Sequence, residues 1–251
     1  MTLEDVFSLV PAIVAGVLAI TLHEAAHGYA ALALGDDTAK RAGRLSLNPL
    51  RHVDRVGTLL LPGILILSQL ALLGRISFLF GWAKPVPIGA WKFKDPRRGM
   101  AIVAAAGPAM NFGLAVLTAM LLPNLPQLTA MQFFGALEQA RGFLYPFAYF
   151  FILTNLVLGL FNLLPIPPLD GGRIAVGLLP LRLAAAWARL ERAGIVVVIL
   201  LVFLLPRLLA EFGIAFDPFG QAMNTVLPWA LRLVLLAGGH QVAPDGYGRL
   251  I

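Results

Sequence analysis

Six apolar runs punctuate this chain, at residues 6–22, 57–73, 99–122, 143–164, 193–210 and 219–237. Several are near the roughly 20 residues a helix needs to cross a hydrocarbon core. Lipid offers a backbone no hydrogen-bond partners, so runs of this kind are predicted to be helices that satisfy their own amides. Composition agrees: 59% of the 251 residues are hydrophobic and 13% charged, against about 25% charged in an ordinary soluble domain. The predicted fold class is therefore an all-α polytopic membrane protein, a bundle of about six transmembrane segments in a single membrane-embedded domain spanning 1–251. The runs leave no polar stretch long enough for an inserted soluble domain. The first run follows Glu4 and Asp5, lacks a basic leader, and reads as a retained helix and not a cleaved signal peptide.

The net charge is +6, but its distribution argues against nucleic acid as a partner. Lys40, Arg41, Arg44, Arg51 and Arg55 form one basic loop; Lys84, Lys92, Lys94, Arg97 and Arg98 form a second; Arg173, Arg182, Arg189 and Arg192 form a third. All lie beside apolar runs, where the positive-inside rule accounts for them and assigns all three loops to the cytoplasm. The first helix then runs inward, and residues 57–87 must enter the membrane and come back. Gly74, Gly81, Pro85 and Pro87 suit a non-helical return leg, because Pro-x-Pro cannot continue a helix. A re-entrant or extended return loop is thus predicted near residues 75–90. Such backbone survives at membrane depth only when protein buries it or it lines a wet cavity. Residues 99–122 cross outward, 123–142 form an outer loop carrying Glu138 and Arg141, and 143–164 return. Residues 174–192 suit an amphipathic interfacial segment.

Chemistry enters at His23-Glu24-Ala25-Ala26-His27, which continues the first apolar run. On a helix, histidines four residues apart differ by about 40° around the axis, so both imidazoles can reach one zinc ion. Glu24 is then placed to polarise a water held there. If the helix ends near Leu34, His23 lies about 16 Å from that end, submerged in the cytoplasmic half. With no cysteine in the chain, further ligands must be His, Asp or Glu. A catalytic zinc usually takes three protein ligands. Asp170, in Asn162-Leu-Leu-Pro-Ile-Pro-Pro-Leu-Asp170-Gly171-Gly172-Arg173, is the best candidate, since an unpaired carboxylate at the end of an apolar run is costly. An equally natural reading makes it a turn aspartate that caps the next helix or pairs with Arg173.

These motifs together resemble the site-2 protease family of intramembrane zinc metalloproteases. His23 to His27, Gly107-Pro108-Ala109-Met110-Asn111 and Asn162 through Gly171 are similar to its three core signatures, in its order and on successive apolar runs. Gly81-Trp82-Ala83-Lys84-Pro85-Val86-Pro87 looks like a loop common in its compact bacterial members. The resemblance covers about residues 8–180, a catalytic core, and leaves about 181–240 as accessory helices. It implies one Zn2+ per chain held by His23, His27 and Asp170, Glu24 as general base, and hydrolysis of a peptide bond in or near a substrate's transmembrane segment. The partners implied are a transmembrane protein substrate and the bilayer of the cell membrane, a bacterial inner membrane. No feature specifies an oligomeric state, and no PDZ-like insertion is visible.

Several further residues carry two readings. Asn162 is placed to donate to the substrate carbonyl or oxyanion, or to tie two helices; Asn111 to contact substrate or to organise the central helices. Asn155, with no motif around it, reads as interhelical glue. Trp82, Lys84, Val86 and Ile88 are candidates for an edge that pairs with an unwound substrate in added-strand fashion. His52 reads as a solvated interfacial histidine, and Asp54 as a partner of Arg51 or Arg55. Two rival functions share the apolar runs and histidines. A metal-ion transporter predicts ligands strung along several helices, and a catalytically silent scaffold would be free to lose Glu24 or a ligand.

Overall fold

A computed structural model describes residues 3–74, 81–124, 128–140 and 142–243. Residues 75–80 of the expected return loop, and Arg141, lie outside the described residues. Among the described residues the regular structure is entirely helical. In chain order it comprises α1 (Leu3–Ala33), α2 (Thr38–Arg41), α3 (Leu61–Leu73), α4 (Pro96–Met120), α5 (Ala130–Gln139), α6 (Leu144–Asn162), α7 (Asp170–Leu178), α8 (Leu181–Arg189), α9 (Glu191–Val198), α10 (Leu205–Glu211) and α11 (Pro218–Ala237). A wide π-type turn, Arg55–Leu60, leads into α3, and another, Ile199–Leu204, joins α9 to α10.

Among the described residues three helices are long and apolar enough to cross a membrane: Val10–Ala33 of α1, α4 and α6, of 24, 25 and 19 residues. At 1.5 Å per residue they span about 28 to 38 Å, against a hydrocarbon core of about 30 Å. The chain is an all-α membrane protein. The runs at 57–73, 193–210 and 219–237 are helical too, in shorter or less apolar pieces.

Helices α1, α4 and α6 pack on one another in all three pairings, and α1 and α4 run antiparallel, His23 meeting Asn111 and His27 meeting Val103. The reason is written along α4, where Ala104, Pro108, Asn111, Ala115 and Ala119 recur every three or four residues, with Gly107 beside them, and all are buried. Small side chains let backbones approach closely where lipid provides no hydrophobic drive for helices to associate. Ala15 and Ala19 of α1 meet Phe151 of α6 on the same principle. Asp95 caps α4, accepting from the N–H groups of Arg97 and Arg98, with Pro96 in the first turn where its missing donor is harmless.

The expected outer loop at 123–142 instead contains α5. A capping box of Thr129 and Gln132 starts it. Its Phe133, Phe134 and Leu137 are buried against α4, α6 and α11 in the main apolar core. A ten-residue helix with four buried apolar positions carries too short a hydrophobic signal to stand out among longer runs. His240 closes the same core, its Nε2 2.6 Å from the Ala119 carbonyl oxygen at the end of α4.

Helix α1 ends as the sequence suggests, with Gly35 at φ +98°, a left-handed conformation open to glycine. Asp36 then turns inward and is fully buried. It accepts from Gly89 N–H at 2.6 Å, Thr38 N–H at 3.0 Å and the Thr38 hydroxyl, and lies 3.2 Å from Lys92 Nζ. Burial opposes its charge, but these donors outweigh burial and hold the Asp36 pKa at about 2. The end of α1 is thereby stapled to the segment that enters α4.

A carboxyl depressed on folding stabilises the fold above its unfolded value and loses that contribution as pH falls through its folded value. The melting temperature of the detergent-solubilised protein should therefore drop between pH 4 and pH 2 through Asp36. Asp36→Asn should remove about 2 kcal/mol at pH 7 and flatten that drop. An Asp36→Asn melting curve parallel to wild type across the window would contradict this account of the staple.

Candidate active site

His23 and His27 stand one turn apart on α1 with ring centroids 4.7 Å apart, and both are buried. Across the bundle, α7 begins at Asp170, whose carboxylate Oδ2 lies 3.2 Å from His23 Nε2 and 3.4 Å from His27 Nε2. The two Nε2 atoms are 3.1 Å apart. Asp170 is neither the cap of α7 nor a partner of Arg173: Leu169 occupies the N-cap position, and Arg173 pairs with Glu191 at 2.9 Å. The glycines that follow let α7 come so close. A Cβ at Gly171 would sit 2.2 Å from the Leu163 carbonyl oxygen, and one at Gly172 2.5 Å from Pro167 N. Gly107 of α4 does the same for the histidines, since a Cβ there would fall 2.5 Å from His23 Cε1 and 2.6 Å from His27 Cε1.

These atoms fit a cation. His27 Nδ1 lies 2.7 Å from the Val103 carbonyl oxygen, which can only accept, so the proton is on Nδ1 and Nε2 presents a lone pair. His23 Nδ1 is 2.6 Å from Asn111 Oδ1. Asp170 Oδ2 is buried without a hydrogen-bond donor. Acceptors 3.1 to 3.4 Å apart repel unless a positive charge lies among them. Zinc–ligand bonds of about 2.0 to 2.1 Å at tetrahedral angles put neighbouring ligand atoms about 3.3 Å apart, which matches. Among the described residues no other group of three or more His, Cys, Asp or Glu side chains converges in this way.

The three groups line a cavity of about 550 Å³ together with Glu24, Asn162 and the return leg. Asn162 closes α6, one of its amide hydrogens donated back to the Leu158 carbonyl at 3.0 Å. Asn111 departs from the substrate-contact reading. It is fully buried behind His23, outside the cavity lining, and its oxygen faces the imidazole.

The return leg, residues 81–89, is non-helical as expected, and its register decides what it offers. Trp82 N–H donates to Gly57 O at 3.2 Å, Lys84 N–H to His52 O at 2.9 Å, and Val86 N–H to Glu24 Oε2 at 3.2 Å. The Trp82 and Lys84 carbonyls accept from the Thr58 hydroxyl and Arg44 Nη2. Trp82, Lys84 and Val86 thus spend their backbone groups inward, and Val86 and Ile88 turn apolar side chains inward as well. In an extended chain the alternate residues face the other way. Ala83, Pro85 and Pro87 are therefore the ones whose backbone remains available on the open edge, a one-residue shift from the sequence reading.

His52 corrects another expectation. It is buried, not solvated, with Nε2 2.8 Å from Ser46 O and Nδ1 3.5 Å from Arg44. It and Arg44 form a clamp on Lys84. Asp54 pairs with neither Arg51 nor Arg55; it caps the turn into α3, accepting from Val56 and Gly57 N–H. Sequence reasoning had no access to the Val103 carbonyl, which contributes backbone alone, nor to Arg44, one arginine in a basic loop.

Comparison with known proteins agrees with this arrangement. The model of "Peptidase family M50" matches residues 11–205. YwhC of Bacillus subtilis (strain 168), whose name designates it a zinc metalloprotease, is 40% identical over 188 residues, covering 74% of this chain and 76% of that protein. Rip2 of Mycolicibacterium smegmatis, named in the same way, is 34% identical over 163 residues, 63% of this chain and 54% of Rip2. Zinc metalloprotease MJ0392 of Methanocaldococcus jannaschii is 36% identical over 91 residues, 36% of this chain and 23% of that protein. No solved structure matches the chain. The chain belongs to peptidase family M50, the site-2 protease family its motifs resemble, and is a zinc metalloprotease.

Proposed function

We propose that this protein is an intramembrane endopeptidase that hydrolyses a peptide bond in or near a transmembrane segment of a membrane-protein substrate, as a step of regulated intramembrane proteolysis. The convergence of His23, His27 and Asp170 inside a membrane-length helix bundle carries the reading. These three residues hold the zinc, and Glu24 on the same cavity wall is the general base. When bound, zinc supplies Lewis-acid polarisation of the scissile carbonyl and acidifies the attacking water. Glu24 accepts the proton of that water and returns it to the leaving amine. Asn162 keeps one amide hydrogen for the carbonyl oxygen.

Transmembrane helices hide their carbonyls in their own hydrogen bonds, so a substrate must unwind to be cut. The open edge of the return leg gives an unwound segment somewhere to pair, with the Ala83, Pro85 and Pro87 carbonyls and the Ala83 N–H. Prolines at 85 and 87 make that edge rich in acceptors. An adjoining apolar cavity of about 580 Å³ shares Ile20, Trp82 and Ala83 with the catalytic one and is lined by Ile13 and Val17, supporting entry from the bilayer. Basic side chains at this end, among them Arg41, Lys92 and Arg98, support an active site in the cytoplasmic half of a multi-pass cell-membrane protein.

Glu24→Gln should keep one zinc per chain by elemental analysis while cleavage falls about 10³-fold. In cells, quantitative proteomics of membrane fractions should show uncut transmembrane proteins accumulating with the variant. Cleavage persisting at the wild-type level would reject Glu24 as the base. Ala83→Pro removes the N–H of the open edge and leaves Glu24 its bond from Val86. It should retain zinc and lower cleavage at least about tenfold, as loss of one buried hydrogen bond implies; unchanged cleavage would dismiss the edge.

A further inference from the structure

Asn155, on α6, is fully buried and touches neither the cavity nor a zinc ligand. Its hydrogen bonds nevertheless reach the metal site, and their polarity is fixed from one end. Asn155 Nδ2 donates to the Phe151 carbonyl of its own helix at 2.8 Å. A carbonyl accepts and never donates, so the amide orientation follows, and Asn155 Oδ1 must face away from Phe151. That oxygen accepts from Asn111 Nδ2 at 2.7 Å, which orients the second amide in turn. Asn111 Oδ1 is left facing His23 Nδ1 at 2.6 Å, and an oxygen with no hydrogen requires the imidazole to supply it. The proton of His23 therefore sits on Nδ1, and Nε2 turns its lone pair toward Asp170 and His27.

We infer that Asn155 is a positioning residue of the metal site, setting the tautomer and orientation of His23 through Asn111. The inference rests on the reading of His23 as a zinc ligand. The relay joins three helices, α6 to α4 to α1, and starts from a main-chain carbonyl that no side-chain rotation can reverse. Close packing keeps the amides in reach: a Cβ at Gly159, one turn beyond Asn155, would meet Asn111 Cβ at 3.4 Å and the Phe112 ring at 3.1 Å. Without Asn155, nothing in the relay tells Asn111 which end of its amide to present. With Nδ2 toward the ring, the imidazole proton moves to Nε2 and the lone pair to the wrong nitrogen. Partners of this kind typically change metal affinity by 10- to 100-fold.

The test uses the full chain purified in detergent micelles, with zinc alone as the probe and affinity read by competition with a chelator. His23→Ala should lose tight binding, which checks the ligand assignment itself; unaltered binding would remove the reading on which the inference stands. Asn155→Leu should weaken zinc by about 10- to 100-fold. Asn155→Asp, neutral at this depth, can still accept from Asn111 and donate to Phe151, and should bind within about threefold of wild type by the same reasoning. Interhelical glue alone would lower the melting temperature of metal-free protein and leave zinc affinity in place. Asn155→Leu within twofold of wild type, with His23→Ala defective, would overturn the inference. Should Asn155→Leu fail to fold, ring ¹⁵N shifts of metal-free wild-type protein decide, with the His23 signals identified by their loss in His23→Ala. The Nδ1–H form is expected, and the Nε2–H form overturns it.

Discussion

Three electron-pair donors that face one another in a buried site are the interaction on which the rest of this molecule depends. Bringing His23 Nε2, His27 Nε2 and Asp170 Oδ2 within 3.4 Å is unfavourable in the absence of a cation, and desolvating the carboxylate alone opposes folding by several kcal/mol. The fold holds them there by removing alternatives. Gly107 admits the rings, Gly171 and Gly172 let α7 approach the end of α6, and the Val103 carbonyl denies His27 the other tautomer. Helices joined by alanine and glycine contacts have little side-chain slack, so the ligand spacing is inherited from backbone spacing. Ligand spacing thus follows from bundle packing, whereas the orientation of His23 follows from the amide relay behind it, which is how an asparagine remote from the cavity can bear on the site.

That same rigidity explains what was legible in the sequence. The apolar runs announced the three long helices, since a stretch of about 20 residues in lipid has few other options. His23, Glu24 and His27 were legible because helical spacing alone puts 23 and 27 on one face. Asp170 was half legible: its cost in an apolar context signalled a partner, but a capping role looked as good until α7 turned its carboxylate toward α1 and Arg173 went to Glu191. Asn155 carried the same kind of signal, a polar group in a membrane helix, with nothing local to say which neighbour it serves. Helix α5 escaped because its burial depends on partners from α4, α6 and α11, all distant in the chain. His52 was misjudged for a related reason. A basic loop predicts solvent, and only the folded turn shows Arg44 and Ser46 closing over the ring.

The return leg illustrates how one residue of register changes a functional reading. Sequence placed Trp82, Lys84, Val86 and Ile88 on the edge that meets substrate; the structure gives the N–H groups of the first three to Gly57, His52 and Glu24 and packs the Ile88 side chain inward. Period two is strict in an extended chain, so the complementary set faces outward. Pro85 and Pro87 belong to that set. They remove N–H groups that would otherwise stand unpaired on that edge and keep Lys84 and Val86 extended by their steric bulk. The open edge is therefore less costly to leave unpaired, because a lone carbonyl is easier to leave partly satisfied than a lone N–H.

Glu24 connects the two halves of this design. Its carboxylate borders the cavity lined by His23, His27 and Asp170 and also accepts the Val86 N–H, so the proposed base and the leg are fixed relative to each other by one hydrogen bond of 3.2 Å. The leg is held independently by the Arg44 and His52 clamp at Lys84 and by Asp36 at Gly89. Each anchor comes from α1 or from the loop that follows it, the element that carries both histidines. A peptide aligned on the open edge would therefore be positioned in the frame of α1 itself. Misplacement by 1 Å can lower a rate about 10²-fold, and an edge anchored to the helix that carries Glu24, His23 and His27 is the arrangement that keeps such errors small.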